Sequence, residues 1–139
     1  MLKILKLLLI SFFITLTAAC SSYKTIDFSK EIIVSFSGSE GNSEVTLSTL
    51  KGGAIEGFKE AALVDIKRLE KGVPLNPEMD KLHAISAGYF YTCTTDSDLS
   101  SLHNGDVVTY TCHINPNTMK EYNLKEVNPV FSINVSGLD

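Results

Sequence analysis

Residues 106–114 read Asp-Val-Val-Thr-Tyr-Thr-Cys-His-Ile, and this stretch decides the fold class. In an extended chain Val108, Tyr110, Cys112 and Ile114 share one face, and Val107, Thr109, Thr111 and His113 the other. β-Branched and aromatic side chains fill it, as a pleated, half-buried surface favours. Outward from it, residues 130–136 alternate in the same way, with Phe131, Ile133 and Val135 inward. Residues 88–94, Gly-Tyr-Phe-Tyr-Thr-Cys-Thr, predict a further strand. Asn104-Gly105 is a strong turn signal in the polar run 96–106. Upstream, Ile32, Val34 and Phe36 in residues 31–37 pair naturally with Val45 and Leu47 in residues 44–48, and Gly38–Asn42 supplies the turn of a hairpin.

The period switches to helical over residues 54–70. Ile55, Phe58, Ala62, Ile66 and Leu69 form one apolar stripe, while Glu56 and Glu60 precede Lys67, Arg68 and Lys71, an order that suits the helix dipole. Gly72 reads as the residue that closes this helix and Pro74 as a stop. Asn76-Pro77 reads as an N-cap and first helical residue, opening a short helix over 77–82 with Met79 and Leu82 inward. Residues 118–127 read as a loop or a short helical turn.

The first twenty residues have a different character. Lys3 and Lys6 form a basic start, Leu7–Leu16 is almost continuously apolar, and Thr17-Ala18-Ala19 are small and precede Cys20. This is the layout of a secretory leader. Ending on small residues plus Cys, it resembles a bacterial lipoprotein signal. That resemblance implies cleavage before Cys20 and acylation of its new N-terminus. Several acyl chains anchor firmly, each buried CH₂ contributing about 0.8 kcal/mol. Ser21, rather than Asp, argues for retention at the inner membrane in a cell with two membranes. The expected organisation is therefore a signal over 1–19, the lipidated Cys20 with a tether through 29, and one folded domain over 30–139.

The chain carries 12 Lys+Arg against 16 Asp+Glu; without Lys3 and Lys6 its net charge falls from −4 to −6. A mildly acidic chain with Arg68 as its one arginine lacks the basic face that nucleic acid requires. If Cys20 is acylated, Cys93 and Cys112 remain. Both share the inward face of their strands, and outside the cytosol a bridge between them would persist. Closing a loop of about 19 residues contributes roughly 3 kcal/mol in the chain-entropy model. Two buried free thiols, packed as small hydrophobes, are the alternative.

Leu102, Asp106, Tyr110 and Cys112 have a spacing that resembles the corner leading into strand F of immunoglobulin-like domains. In such a corner the Asp accepts backbone N–H groups and the buried Tyr hydrogen-bonds back upstream. A longer resemblance joins three landmarks: Val34-Ser-Phe36-Ser-Gly38-Ser-Glu40-Gly41, then Leu102-His-Asn104-Gly105-Asp106-Val-Val108, then Val135-Ser136-Gly137-Leu138. Together they resemble a β domain found in lipoproteins and membrane-tethered envelope proteins of Gram-positive bacteria. Members often carry another Gly near position 43, where this chain has Ser43. The resemblance implies a surface location and transfers no catalytic residue. The expected fold is mainly β (α+β): an immunoglobulin-like antiparallel β-sandwich with one inserted amphipathic helix between its second and third strands.

Few residues invite chemistry. His83, His103 and His113 have no metal-ligand spacing, and adjacent Cys112 and His113 point to opposite faces, so neither metal nor cofactor is expected. Inward cysteines on apolar strands lack the base and exposure of a nucleophile. Gly38-Ser39-Glu40-Gly41 lacks the G-x-S-x-G spacing of a serine hydrolase. Glu56 and Glu60 read as a solvated helix start. Asp96-Ser97-Asp98 lacks the Gly and bidentate Glu of a calcium loop. The expected protein is a non-enzymatic lipoprotein on the outer face of the cell membrane, a binding or structural module that meets an envelope protein or wall component. The alternatives are an extracytoplasmic ion or solute binder using Asp96, Asp98 and Asp106, a thiol-redox sensor using Cys93 and Cys112, and an inhibitor of a wall-degrading enzyme.

Overall fold

The computed structural model describes residues 23–70 and 77–139. The leader, Cys20 and the boundary signals at Gly72, Pro74 and Asn76 lie outside the described residues. In chain order the elements are β1 (Lys24–Asp27), α1 (Phe28–Glu31), β2 (Ile32–Ser39), β3 (Asn42–Thr49), α2 (Ala54–Leu69), α3 (Pro77–Ser86), β4 (Tyr91–Thr94), β5 (Val107–Ile114), α4 (Pro116–Glu121), β6 (Leu124–Val127) and β7 (Val130–Asn134). About 37% of the described residues are strand and 32% helix, so the class is mixed α/β rather than mainly β.

The strands form three small sheets: β1 with β6, β2 with β3, and β4-β5-β7. An immunoglobulin-like sandwich is not confirmed. The pair β1·β6 is parallel, with Ile26 opposite Glu126, whereas the sandwich expectation was antiparallel throughout. The helix between the hairpin and the next strand is accompanied by a second, α3, which packs against it.

Where the sequence alternates strongly, the elements appear as expected. The hairpin pairs Val34 with Leu47 and Phe36 with Val45, although Leu47 stays exposed. In β5, Val108, Tyr110, Cys112 and Ile114 are buried, while Val107, Thr109 and His113 are exposed. Ile55, Ala62 and Ile66 of α2 are buried, and Phe58 and Leu69 pack against the core. Met79 and Leu82 of α3 are buried as expected, together with Ile85.

Three differences have identifiable causes. First, residues 24–29, read as tether, are structured: β1 pairs with β6 and Phe28 is fully buried. A four-residue strand is too short to display a period, and its partner lies a hundred residues away. Second, α3 runs on to Ser86. It closes in a Schellman motif, with Tyr89 N–H donating to Ala84 O at 2.8 Å and Gly88 N–H to Ile85 O at 2.9 Å. Gly88 takes φ +86°, the left-handed conformation this closure needs, so the strand predicted from residue 88 begins only at Tyr91. Third, Asn115 caps α4 through its side chain, which accepts from Asn117 N–H at 2.9 Å, and β6 follows within the predicted loop.

Helix α2 has Gly53 at its N-cap, which offers no side-chain acceptor for the first helical N–H groups. The buried Glu31 supplies one from the end of α1: Oε1 accepts from Ala54 N–H at 2.9 Å and Oε2 from Ile55 N–H at 3.2 Å. A carboxylate there is also favoured by the helix dipole. A Cβ at position 53 would meet that carboxylate, so a larger residue there would push Glu31 off its two N–H groups. Glu31 O meanwhile accepts from Leu50 N–H at 2.7 Å, so one residue ties α1 to the hairpin's end and to α2.

Asp27 makes a second tie. Its Oδ1 accepts from Ser29 Oγ at 2.7 Å and Asn128 Nδ2 at 3.0 Å, and Lys30 Nζ lies 3.2 Å from Oδ2. The hydrogen bonds from Ser29 and Asn128, then Lys30, hold its carboxyl down to about 2.

Two outcomes are expected. Replacing Glu31 by Ala strands two N–H groups, and urea unfolding should register a loss of about 1–3 kcal/mol, partly restored in Glu31→Gln. The depressed Asp27 value stabilises the fold fully above the ordinary Asp range near about 3.9, and that contribution disappears as pH falls through about 2. The urea midpoint should therefore drop less between pH 4 and pH 2 in Asp27→Asn than in the unmodified chain, starting from a lower value at pH 7.

Candidate functional site

The three sequence landmarks converge on one corner. Gly41 N–H, in the hairpin turn, donates to Leu102 O at 2.9 Å, and Ser43 N–H to Ser100 O at 3.1 Å. From the C-terminal landmark, Val135 N–H donates to Asp106 O at 2.8 Å and Val135 O accepts from Gly105 N–H at 2.9 Å. Asp139 N–H then donates to Gly38 O, and Glu40 N–H to Asp139 O, both at 3.1 Å.

Asn104 sits at the centre. Its Nδ2 donates to Leu138 O at 2.8 Å and its Oδ1 accepts from Leu138 N–H at 3.0 Å. A side-chain amide thus serves both backbone groups of one residue, as a neighbouring strand would. Asn104 N–H in turn donates to Glu40 Oε1 at 3.1 Å, and Leu102 and Leu138 bury their side chains beneath. Ser43, where the resembled pattern often has Gly, is buried; its hydroxyl donates to Leu99 O at 2.7 Å and accepts from Leu102 N–H at 3.1 Å. The serine adds a bridge between hairpin and loop that glycine cannot make.

The immunoglobulin-like expectations for this corner divide. Asp106 does accept a backbone N–H, from His103, at 2.8 Å. Tyr110 does not bond upstream: its hydroxyl is buried without a hydrogen-bond partner among the described residues. Its ring stacks on Phe131 at 5.9 Å, and burial pushes the phenol pKa up. The ring's packing, not its hydroxyl, fixes this residue.

Cys93 and Cys112 stand directly opposite in the β4·β5 register, with Sγ atoms 2.01 Å apart, a disulfide. Cys112 N–H points the other way, donating to Pro129 O at 2.7 Å. The cysteines therefore occupy a non-hydrogen-bonded pair, the type whose Cα atoms approach most closely, typically about 4.5 Å; here the separation is 4.0 Å. Cys112 is fully buried and Cys93 half-buried.

The other candidates do not assemble. Asp98 is committed to its own turn: Oδ1 accepts from Ser100 N–H at 3.0 Å and Ser100 Oγ at 2.7 Å, and Oδ2 from Ser101 Oγ at 3.0 Å. These bonds, the Ser100 hydroxyl first, lower its pKa. Asp106 serves His103, so Asp96, Asp98 and Asp106 do not share a site. Glu56 accepts from Gly52 N–H as part of the α2 start. The histidines stand apart, His113 beside Glu126 at 3.2 Å and His103 3.9 Å from Asp106. Among the described residues no three His, Cys, Asp or Glu side chains are grouped to hold a metal ion.

Glu126 escaped the sequence reading because its segment lacked a legible period. Its Oε1 accepts from Ile114 N–H at 2.6 Å, just past the point where β7 stops pairing with β5. The five tyrosines also separate: Tyr110 is buried, Tyr91 and Tyr122 are half-buried, and Tyr23 and Tyr89 are exposed. Against this geometry, no protein-family model, curated protein or solved structure matches the chain.

The corner is a backbone clasp built from amide, hydroxyl and peptide groups. Asn104→Ala should lower stability by about 1–3 kcal/mol and accelerate hydrogen exchange at the Leu138 amide, because two backbone groups lose their partner at once. Unchanged exchange at Leu138 would contradict the assignment of Asn104 as the clasp's centre.

Proposed function

We propose that this chain is a lipoprotein, acylated at Cys20 and held on the outer face of the cell membrane, whose domain is a non-catalytic binding or structural module of the envelope. The observation that carries the reading is the order of residues 1–20: a basic start, an apolar run, small residues and Cys. The Cys93–Cys112 bridge supports it, since disulfides persist outside the reducing cytosol. β1 begins at Lys24, four residues after Cys20, which would set the folded domain close to the bilayer. The polar corner supports a structural role, because its carboxylates and amides are occupied by backbone groups rather than aimed at a shared point. The partner would be an envelope protein or wall component.

Metabolic labelling with an alkyne-bearing palmitate tests the anchor. The unmodified chain should take up label and enter the detergent phase on cloud-point partition, and Cys20→Ser should do neither. A mature chain that keeps Met1, or an unlabelled Cys20, would overturn the reading.

A further inference from the structure

Tyr89 is the most exposed large apolar side chain among the described residues, at 80% of its free area. Its backbone is nonetheless fixed. The Schellman bond to Ala84 O holds its N–H, and the next carbonyl, Phe90 O, accepts from Asn115 N–H at 2.8 Å. The Phe90 ring is buried and meets Phe58 edge-on at 5.1 Å and Tyr91 at 5.2 Å. An aromatic ring thus stands in water on a hydrogen-bonded, packed base, where it adds little to the core.

A groove lies on each side. One, of about 230 Å³ between α3 and α4, is floored by Ile85, Phe90 and Tyr122 and edged by Asn117 and Thr118. The other, of about 250 Å³, runs over the ends of β4 and β5 past Tyr91, Thr92 and His113. Both contain Tyr89, Phe90 and Asn115, so they meet at the exposed ring. Of the charged side chains lining these grooves, Lys81 and Glu121 pair with each other at 3.3 Å, and His113 lies beside Glu126 at 3.2 Å. What is left for a ligand is amide and hydroxyl chemistry around an apolar floor and one projecting aromatic face.

We propose that this ridge and its two grooves bind a linear, uncharged glycan, with one pyranose ring stacked on Tyr89 and its neighbours lying in the grooves. A sugar chain combines a C–H face that suits the ring, hydroxyls that suit the Asn117 and Thr118 side chains, and no charge to disturb the Lys81–Glu121 pair. The inference deepens the reading of the protein as an envelope module and rests on it for where the glycan is met; the binding itself needs no anchor.

The test uses the full lipidated chain in detergent micelles, titrated separately with tetra-N-acetylchitotetraose, cellotetraose and a proline-rich decapeptide, the last because extended peptides also dock against aromatic grooves. At least one tetrasaccharide should bind. Tyr89→Ala should weaken that binding about tenfold or more with melting temperature unchanged, Tyr89→Phe should keep it, and Asn117→Ala should weaken it to a smaller extent. The proposal is overturned if neither sugar binds, if only the peptide binds, or if Tyr89→Ala binds sugar as well as the unmodified chain. A negative result alongside palmitate-labelled Cys20 would remove the glycan site and leave the anchor reading standing.

Discussion

A sheet of two short strands does not stand alone in water. The described residues contain two of them, β1·β6 and β2·β3, beside a sheet of three strands. The structure therefore depends on what happens where each ladder runs out. At those ends, side chains from remote parts of the sequence take over the role of a missing strand. Glu31 caps the start of α2 just beyond the hairpin, Glu126 continues past β7 to reach Ile114, Asn104 pairs with Leu138, and Ser43 joins the hairpin to the loop at 99–102. Each serves backbone N–H or C=O groups that would otherwise be left without a partner near the core, where an unmet group costs about 1–3 kcal/mol.

This economy explains why the polar landmarks of the sequence are so compact. Gly38 to Ser43, Leu102 to Asp106 and Val135 to Asp139 are distant along the chain, yet each offers the groups that another lacks. Asn suits the central position because its amide presents a donor and an acceptor side by side; Asp presents only acceptors at neutral pH. Ser43 illustrates how a departure from a familiar pattern can be absorbed. Its small hydroxyl fits the buried space and makes two bonds of its own.

The legible part of the sequence is the part with strong periodicity. The alternation in β5 and β7, the hairpin and the stripe of α2 all emerge from side-chain pattern, because burial on one face is what those residues encode. The pairing of Cys93 with Cys112 was legible as a shared inward face, although register was needed to set them opposite one another. The sheet architecture was not legible. Strands of four residues carry too few positions to reveal a period, and parallel pairing between β1 and β6 has no local signature. The corner's residues could be singled out, but their mutual hydrogen bonds depend on contacts between positions 30 to 100 residues apart. Tyr110 is the converse case: its spacing suggests a hydrogen bond, while the apolar surroundings provide only a packing site.

The pairing of Lys24–Asp27 with Leu124–Val127 also governs when the domain can form. A chain that emerges N-terminus first from the ribosome must wait for about a hundred further residues before β1 has anything to pair with. Such long-range closure slows folding. The strand that opens the described fold is thus completed by one near its end, and the compact state is reached only when nearly the whole polypeptide is available.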